Sequence, residues 1–195
     1  MADKPSGVIA AIATAVDEQG EPDCLRSVAL ARHLLGNGCD GLNVLGTTGE
    51  ATSLSVAQRK TVMTAYCDAG LPLSRCLVGT GAAAIADAIA LTAHAAALGF
   101  GGALLLPPFY YKGIADDGLF AYVEQIIGLT AAAPIPIYLY HFPAASAVPW
   151  PLASKNWGAS SKPSRTSKRF GSRSRPHSGP TTPTRRQIRS LRDQL

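Results

Sequence analysis

The sequence lacks any apolar run of about 18 residues or more, the length that a transmembrane helix needs. Its first twenty residues carry an acid at Asp3 and only a short apolar run, so they do not predict a secretory signal peptide. No two cysteines have C-x-x-C spacing, and none lies near a histidine in a ligand pattern. We therefore expect a cytoplasmic protein with no membrane segment, no metal site, and free thiols that are buried or half-buried. The four cysteines are Cys24, Cys39, Cys67 and Cys76.

The two parts of the chain differ in charge. Residues 1–150 hold seven Lys and Arg against twelve Asp and Glu, a net charge of −5. Residues 151–195 hold eleven Lys and Arg against one acid, Asp193, a net charge of +10. The overall charge of +5 therefore hides a mildly acidic body and a strongly basic tail.

The body alternates short apolar runs with longer amphipathic ones. The apolar runs predict five strands, at 7–16, 41–46, 75–81, 102–108 and 135–143. The amphipathic runs predict four helices, at 23–38, 53–70, 82–100 and 116–132, with Ser53 opening the second. Strict alternation predicts a parallel sheet with right-handed crossovers. An open doubly wound sheet and part of a (β/α)8 barrel both fit, and both place their sites at the carboxyl ends of strands.

The tail has a different composition. Ser, Arg, Pro, Thr and Lys dominate residues 151–195, and apolar side chains are few. Such a segment cannot bury enough apolar surface to offset the entropy lost on ordering. We expect a folded domain at 1–150 followed by a disordered basic tail at 151–195.

The sharpest local motif is GTTGE, from Gly46 to Glu50, between a strand and a helix. Gly46 and Gly49 bracket Thr47 and Thr48, so backbone N–H groups and hydroxyls can converge on a small anion at the helix start. The motif is not a Walker loop, because no lysine follows and Glu50 would repel a polyphosphate, and it is not G-x-G-x-x-G. A carboxylate fits better than a nucleotide, and a plain turn is the alternative. We expect no cofactor.

Tyrosines follow the last two predicted strands. PPFYYKG, at 107–113, contains Tyr110, and YLYHFP, at 138–143, contains Tyr140. A hydroxyl at a strand end can join a proton relay when other hydroxyls lie within hydrogen-bonding reach. The alternative for each tyrosine is an amphipathic position at the edge of the core.

In combination these motifs resemble the dihydrodipicolinate synthase / N-acetylneuraminate lyase family of class I aldolases. The segments that carry the resemblance are VIAAIATAVDEQGEPD, GLNVLGTTGEATSLS, VGTGA, LLLPPFYYKG and IYLYHFP, in the family's order and spacing. The family folds as a (β/α)8 barrel. The resemblance therefore implies an α/β fold, a partial TIM barrel of about five βα units, and a lyase that acts on pyruvate or a related 2-keto acid.

The resemblance also implies roles for the GTTGE threonines. Thr48, in the loop that Gly46 and Gly49 bracket, would bind the carboxylate of the keto acid. Thr47 would join a proton relay with Tyr140, which matches the tyrosine that passes protons to and from the bound substrate.

Tyr110 matches a second relay tyrosine of the family, and a one-residue insertion leaves Tyr111 as the alternative. In several family members this residue is contributed across a dimer interface. The resemblance therefore implies a homo-oligomer.

The family's essential lysine has no counterpart that we can assign. Members form a Schiff base between the 2-keto acid and a lysine on strand six. Lys155, Lys162 and Lys168 all lie in Ser/Arg/Pro-rich sequence, and none is on an apolar strand that could desolvate the amine and lower its pKa. We expect this chain to be inactive alone.

A change of reading frame is our hypothesis for the tail. Reading the tail in another phase permits, from Gly158 onward, Arg-Leu-Ile-Glu-Ala-Phe-Pro-Asp-Ile, a credible family helix running into strand six. The hypothesis puts a frameshift near codons 152–157, so that the tail is out of frame. Sequencing of the locus tests it, and an intact frame without family-like sequence in the other phase would contradict it.

Two other functions fit parts of the sequence. One is a non-catalytic pseudoenzyme that pairs with an intact paralogue. The other is a nucleic-acid or acidic-surface binder that uses the basic tail, since clustered arginine suits phosphate. From Gly158 onward the tail has one aromatic residue, Phe170, and no recognised motif, which argues against nucleic acid.

Overall fold

The computed structural model describes residues 5–140 and 142, and it contains five strands and four helices in strict alternation. The strands are β1 (Ile9–Ala11), β2 (Gly41–Val44), β3 (Cys76–Gly79), β4 (Gly102–Leu105) and β5 (Ile137–Leu139). The helices are α1 (Cys24–Gly36), α2 (Val56–Asp68), α3 (Ile85–Leu98) and α4 (Asp116–Leu129). The predicted domain boundary, the tail and its lysines lie outside the described residues.

All five strands are parallel and lie in sequential order, β1-β2-β3-β4-β5. An open doubly wound sheet reverses its strand order at one point and carries helices on both faces. Here no reversal occurs among the described strands, and each helix contacts the next one along the chain. The parallel sheet is confirmed, and its order is that of a (β/α)8 barrel segment.

The two faces of the sheet differ in burial. Leu42 and Val44 of β2 pair with Cys76 and Val78 of β3, and all four side chains are buried under the helices. The residues between them, such as Asn43, are only half-buried and point to the other face. Helices therefore cover one face, and the other is the concave side of the barrel segment.

The start of α2 differs from the prediction. Ser53 ends a short 3-10 turn, and Ser55 caps the helix instead. The Ser55 hydroxyl accepts a hydrogen bond from the Gln58 N–H at 3.2 Å, and the Gln58 side chain accepts one from the Ser55 N–H at 2.8 Å. This reciprocal capping box provides acceptors for two backbone N–H groups, those of Ser55 and Gln58. A helix that began at Ser53 would not form these two hydrogen bonds.

Cys76 is buried and the other three cysteines are half-buried, all as free thiols, as expected. Within the part of the chain that the structure describes, no helix combines the length and apolar character needed to cross a membrane.

Candidate active site

The GTTGE loop leaves the carboxyl end of β2 in an unusual backbone conformation. Leu45 and Glu50, at its two ends, have φ angles of 53° and 49°, in the left-handed region that non-glycine residues rarely adopt. Each such residue costs on the order of 1 kcal/mol or more and persists only where its surroundings enforce it. One restraint is the Thr14 hydroxyl at the end of β1, which donates to the Gly49 carbonyl at 2.8 Å.

The two glycines of the loop differ in how closely backbone surrounds them. A Cβ on Gly49 would lie 3.1 Å from the Ile12 carbonyl oxygen and 3.1 Å from the Leu45 Cα. A Cβ on Gly46 would lie 2.8 Å from the Asn43 side-chain nitrogen. Neither glycine has a positive φ. The loop needs Gly49 because backbone atoms surround it, whereas the neighbour of Gly46 is the end of a side chain that can move.

The loop brings a threonine to the strand-five tyrosine. The Thr47 hydroxyl donates to the Tyr140 hydroxyl across 3.4 Å, although the two residues are 93 positions apart in the sequence. The contact is long for an O–H···O hydrogen bond, as is common at sites without substrate. Tyr140 is held in place because its backbone N–H donates to the Leu105 carbonyl at 2.9 Å and its ring stacks on Phe142 at 5.8 Å.

A cavity of about 200 Å³ opens beside this contact, at the carboxyl ends of the strands. Thr47, Tyr140 and Gly46 line it, together with Thr52 and Arg59. Its apolar lining consists of Leu45, Ala51, Leu104, Leu106, Phe109 and Phe142. A small, partly open cavity with a few convergent polar groups suits a small polar metabolite.

Arg59 is a functional candidate that sequence reasoning missed. Its side chain is only 3% exposed, and it donates to the Gly81 carbonyl at 3.0 Å and the Gly79 carbonyl at 2.8 Å. Burial lowers its pKa to about 10, against the opposing effects of Asp87 and Tyr122. The available signal was spacing, because Arg59 shares a helical face with the apolar positions Val62, Met63 and Tyr66.

The structure gathers some of the predicted residues and not others. Thr47, Gly46 and Tyr140 line the cavity, whereas Thr48 is exposed beside it and Gly49 packs beneath the loop. The backbone N–H groups of Thr47 and Thr48 make no hydrogen bond to other described residues.

Tyr110 lies outside the cavity lining, with 72% of its surface exposed. Its ring meets that of Tyr111 edge to face at 5.1 Å. Both tyrosines therefore stand on the surface of this chain, and the relay role of Tyr110 stays a prediction.

Two lysines fall within the described residues. Lys60 lies on α2, and Lys112 lies on an exposed loop, where its ammonium donates to the Phe109 carbonyl at 2.8 Å. Neither lines the cavity. Over residues 5–140 and 142, no group of three or more His, Cys, Asp or Glu side chains could hold a metal ion.

Tyr122, a buried residue of α4, provides a stability test. Its buried hydroxyl has no hydrogen-bonding partner of good geometry. Burial raises its pKa to about 12, against smaller lowering effects of the Ala82 backbone and Arg59. We expect Tyr122→Phe to leave stability at neutral pH unchanged or to raise it by about 1 kcal/mol, because it removes a buried unpaired group.

The same variant should change the alkaline limb of the stability profile. The pKa of Tyr122 is higher in the folded state than its ordinary value, so the fold favours the neutral hydroxyl over the ionised one. This contribution to the free energy of unfolding is fully present below pH 10 and is lost as pH rises towards 12. The loss is about 1.4 kcal/mol per pH unit, and Tyr122→Phe should escape it in urea titrations. In the control Tyr66→Phe, a hydroxyl that donates to the Ser27 carbonyl at 3.3 Å is removed, so stability should fall at neutral pH. An equal fall in Tyr122→Phe would contradict the argument.

Comparison with known proteins gives a consistent result. A sequence profile described as the dihydrodipicolinate synthetase family matches residues 4–153. The 4-hydroxy-tetrahydrodipicolinate synthase of Synechococcus sp. (strain CC9605) is 39% identical over 136 residues, which are 70% of this chain and 44% of that protein.

Solved structures agree with this match. The dihydrodipicolinate synthase of Agrobacterium tumefaciens str. C58 superposes with a TM-score of 0.69 at 34% identity, over 73% of this chain and 50% of that one. YagE, a prophage protein of the dihydrodipicolinic acid synthase family from E. coli K12, was solved in complex with pyruvate; it has a TM-score of 0.65 at 30% identity, over 72% and 46% of the two chains. This chain thus spans half or less of the length of these relatives.

Proposed function

Because this chain belongs to the dihydrodipicolinate synthetase family, we propose that its cavity binds pyruvate or a related small 2-keto acid. The observation that carries the proposal is the Thr47–Tyr140 hydroxyl pair, which closes one side of a small cavity at the carboxyl ends of parallel strands. Sites of (β/α)8 enzymes lie at that end of the barrel. The complex of YagE with pyruvate supports this choice of ligand.

The GTTGE loop is the proposed carboxylate site. The unused N–H groups of Thr47 and Thr48 and the Thr48 hydroxyl are donors, and a carboxylate accepts several such bonds at once. Gly46 and Gly49 let the loop sit close to the strand ends, so that these donors are held before the ligand arrives. The keto group then faces the hydroxyl pair.

The Thr47–Tyr140 pair is the proposed proton relay. A neutral tyrosine hydroxyl can give its proton to an oxygen of the substrate and take one from the threonine hydroxyl beside it. The two hydroxyls already face each other across 3.4 Å, and a bound ligand would tighten the contact. In the complete lyase, such a relay would serve the formation and hydrolysis of a Schiff base.

We further propose that this chain alone binds the keto acid and does not turn it over. A Schiff base needs an uncharged amine close to the keto carbon, supplied by a lysine whose pKa is lowered by its surroundings. Lys60 and Lys112, the two lysines within the described residues, lie outside the cavity lining. The chain would then act as a binding-competent pseudoenzyme.

A homo-oligomer is the proposed assembly. Tyr110 and Tyr111 form a large exposed aromatic pair that follows Phe109, a residue of the cavity lining. Tyrosine is enriched at protein interfaces because its ring is apolar and its hydroxyl can bond. A second copy could therefore cover this pair and receive Tyr110 into its own site.

Calorimetric titration of pyruvate tests the proposed site. We expect the wild-type chain to bind pyruvate, and Thr47→Val to weaken binding roughly fivefold, the cost of about one hydrogen bond. Thr52→Val is the matched control, because Thr52 lines the same cavity but lies outside the GTTGE motif. Its affinity should stay close to that of the wild type. No binding of pyruvate by the wild type, or equal losses in the two variants, would contradict the proposal.

A further inference from the structure

Arg59 is a nearly fully buried cation beside the cavity. Its side chain belongs to α2, is 3% exposed and contributes to the cavity lining. Charged side chains are almost never buried to this extent unless they are paired. The identity of its partners therefore decides what the charge does to the cavity.

The partners of Arg59 are neutral. Two of its nitrogens donate to the Gly79 and Gly81 carbonyls, and its Nε has no hydrogen-bonding partner. Within residues 5–140 and 142, no carboxylate lies within 4.0 Å of the guanidinium. Carbonyl dipoles solvate the charge but do not cancel it.

Asp87 compensates the charge only in part. Its carboxylate raises the pKa of Arg59, but burial has the larger effect and leaves the pKa lowered. A net positive charge therefore stands in a low-dielectric wall of the cavity, where it interacts far more strongly than it would in water. An anion in the cavity would supply the missing compensation.

The guanidinium is also held in place. Its two terminal nitrogens donate to the carbonyls of Gly79 and Gly81, on either side of Thr80. The guanidinium therefore cannot turn into the cavity without losing both hydrogen bonds. It acts as a fixed charge at a distance and not as a direct ligand. Such preorganised charges cost no rearrangement when the ligand binds.

We propose that Arg59 determines the charge selectivity of the cavity, favouring a carboxylate over a neutral ligand of the same shape. This inference rests on the proposed function, in which a 2-keto acid occupies the cavity. The GTTGE loop orients the carboxylate, and Arg59 supplies most of the discrimination between charged and uncharged ligands.

The test compares pyruvate with pyruvamide, its neutral isostere, by calorimetric titration of the full chain. We expect the wild type to prefer pyruvate, and Arg59→Met to reduce the ratio of the two affinities by roughly tenfold or more, because a charge is lost from a low-dielectric wall. Arg59→Lys keeps the charge and should keep most of the preference. The ratio is internal to each variant, so it does not depend on how stable that variant is.

A second variant works in the opposite direction. Asp87 lies on α3 and outside the cavity lining, and Asp87→Asn removes the partial compensation of Arg59. It should raise the preference for pyruvate, roughly twofold to fivefold at an intermediate effective dielectric constant. A misfolded variant cannot produce this gain.

The outcomes separate the inference from the proposed function. An unchanged preference in Arg59→Met, with pyruvate still bound, overturns the inference and leaves the proposed function standing. A wild type that prefers acetate to acetamide through Arg59 but does not bind pyruvate supports the inference and overturns the proposed function. A wild type that binds none of these ligands overturns both.

Discussion

Gly79→Ala should remove a large part of the stability of the fold. Gly79 ends β3, and a Cβ built on it would overlap the Leu45 carbonyl oxygen and lie 2.8 Å from the Leu45 carbonyl carbon. The obstacle is backbone, and that backbone already has a φ angle of 53° in a strained loop. It therefore cannot retreat as a flexible side chain would. We expect a loss of at least about 3 kcal/mol, a large part of the stability of a domain of this size.

A matched substitution controls for the change from glycine to alanine itself. Gly128 lies on the exposed side of α4, and a Cβ there meets nothing within 4 Å. Gly128→Ala should raise stability by roughly 0.5–1 kcal/mol, because alanine loses less backbone freedom in a helix. Urea titrations followed by circular dichroism measure both variants. A Gly79→Ala protein as stable as the wild type would show that β3 and the GTTGE loop are not packed as described.

Borohydride reduction in the presence of pyruvate should leave this chain without a covalent adduct. Reduction traps a Schiff base as a stable secondary amine, so intact mass reports whether any lysine has condensed with the keto group. Lys60 and Lys112 lie outside the cavity lining, so neither amine stands beside the keto group of a ligand bound there. Binding without trapping is the signature of the proposed pseudoenzyme.

A designed lysine provides the positive control. Leu104 lines the cavity from β4, on the half-buried face of the sheet. Leu104→Lys would put an amine into the cavity that Tyr140 also lines, in partly desolvated surroundings that lower its pKa. We expect this variant to be trapped by pyruvate and borohydride while the wild type is not. Stoichiometric labelling of the wild type, mapped to one lysine, would contradict the proposal and identify the residue.

The sequence predicted the position of some site residues and not of others. Thr47 and Tyr140 are 93 residues apart, yet both follow parallel strands, and parallel strands end at one edge of a sheet, so their meeting could be foreseen. Tyr110 follows a strand too, but the long connection after β4 carries it to the surface. Arg59 belongs to none of the motifs in the sequence. Its burial depends on the carbonyls of Gly79 and Gly81, which belong to another element.

The sequence by itself determined the order of strands and helices, the GTTGE turn and the family resemblance that the comparisons confirm. These features are local, because periodicity, capping and turn residues act within a few positions of one another. The resemblance also implied the partial barrel, and the strand order agrees with it. Only the tertiary structure chose Ser55 over Ser53 as the cap and buried Arg59 against the end of β3. Each of these outcomes depends on which backbone groups meet in space, and a linear pattern does not carry that information.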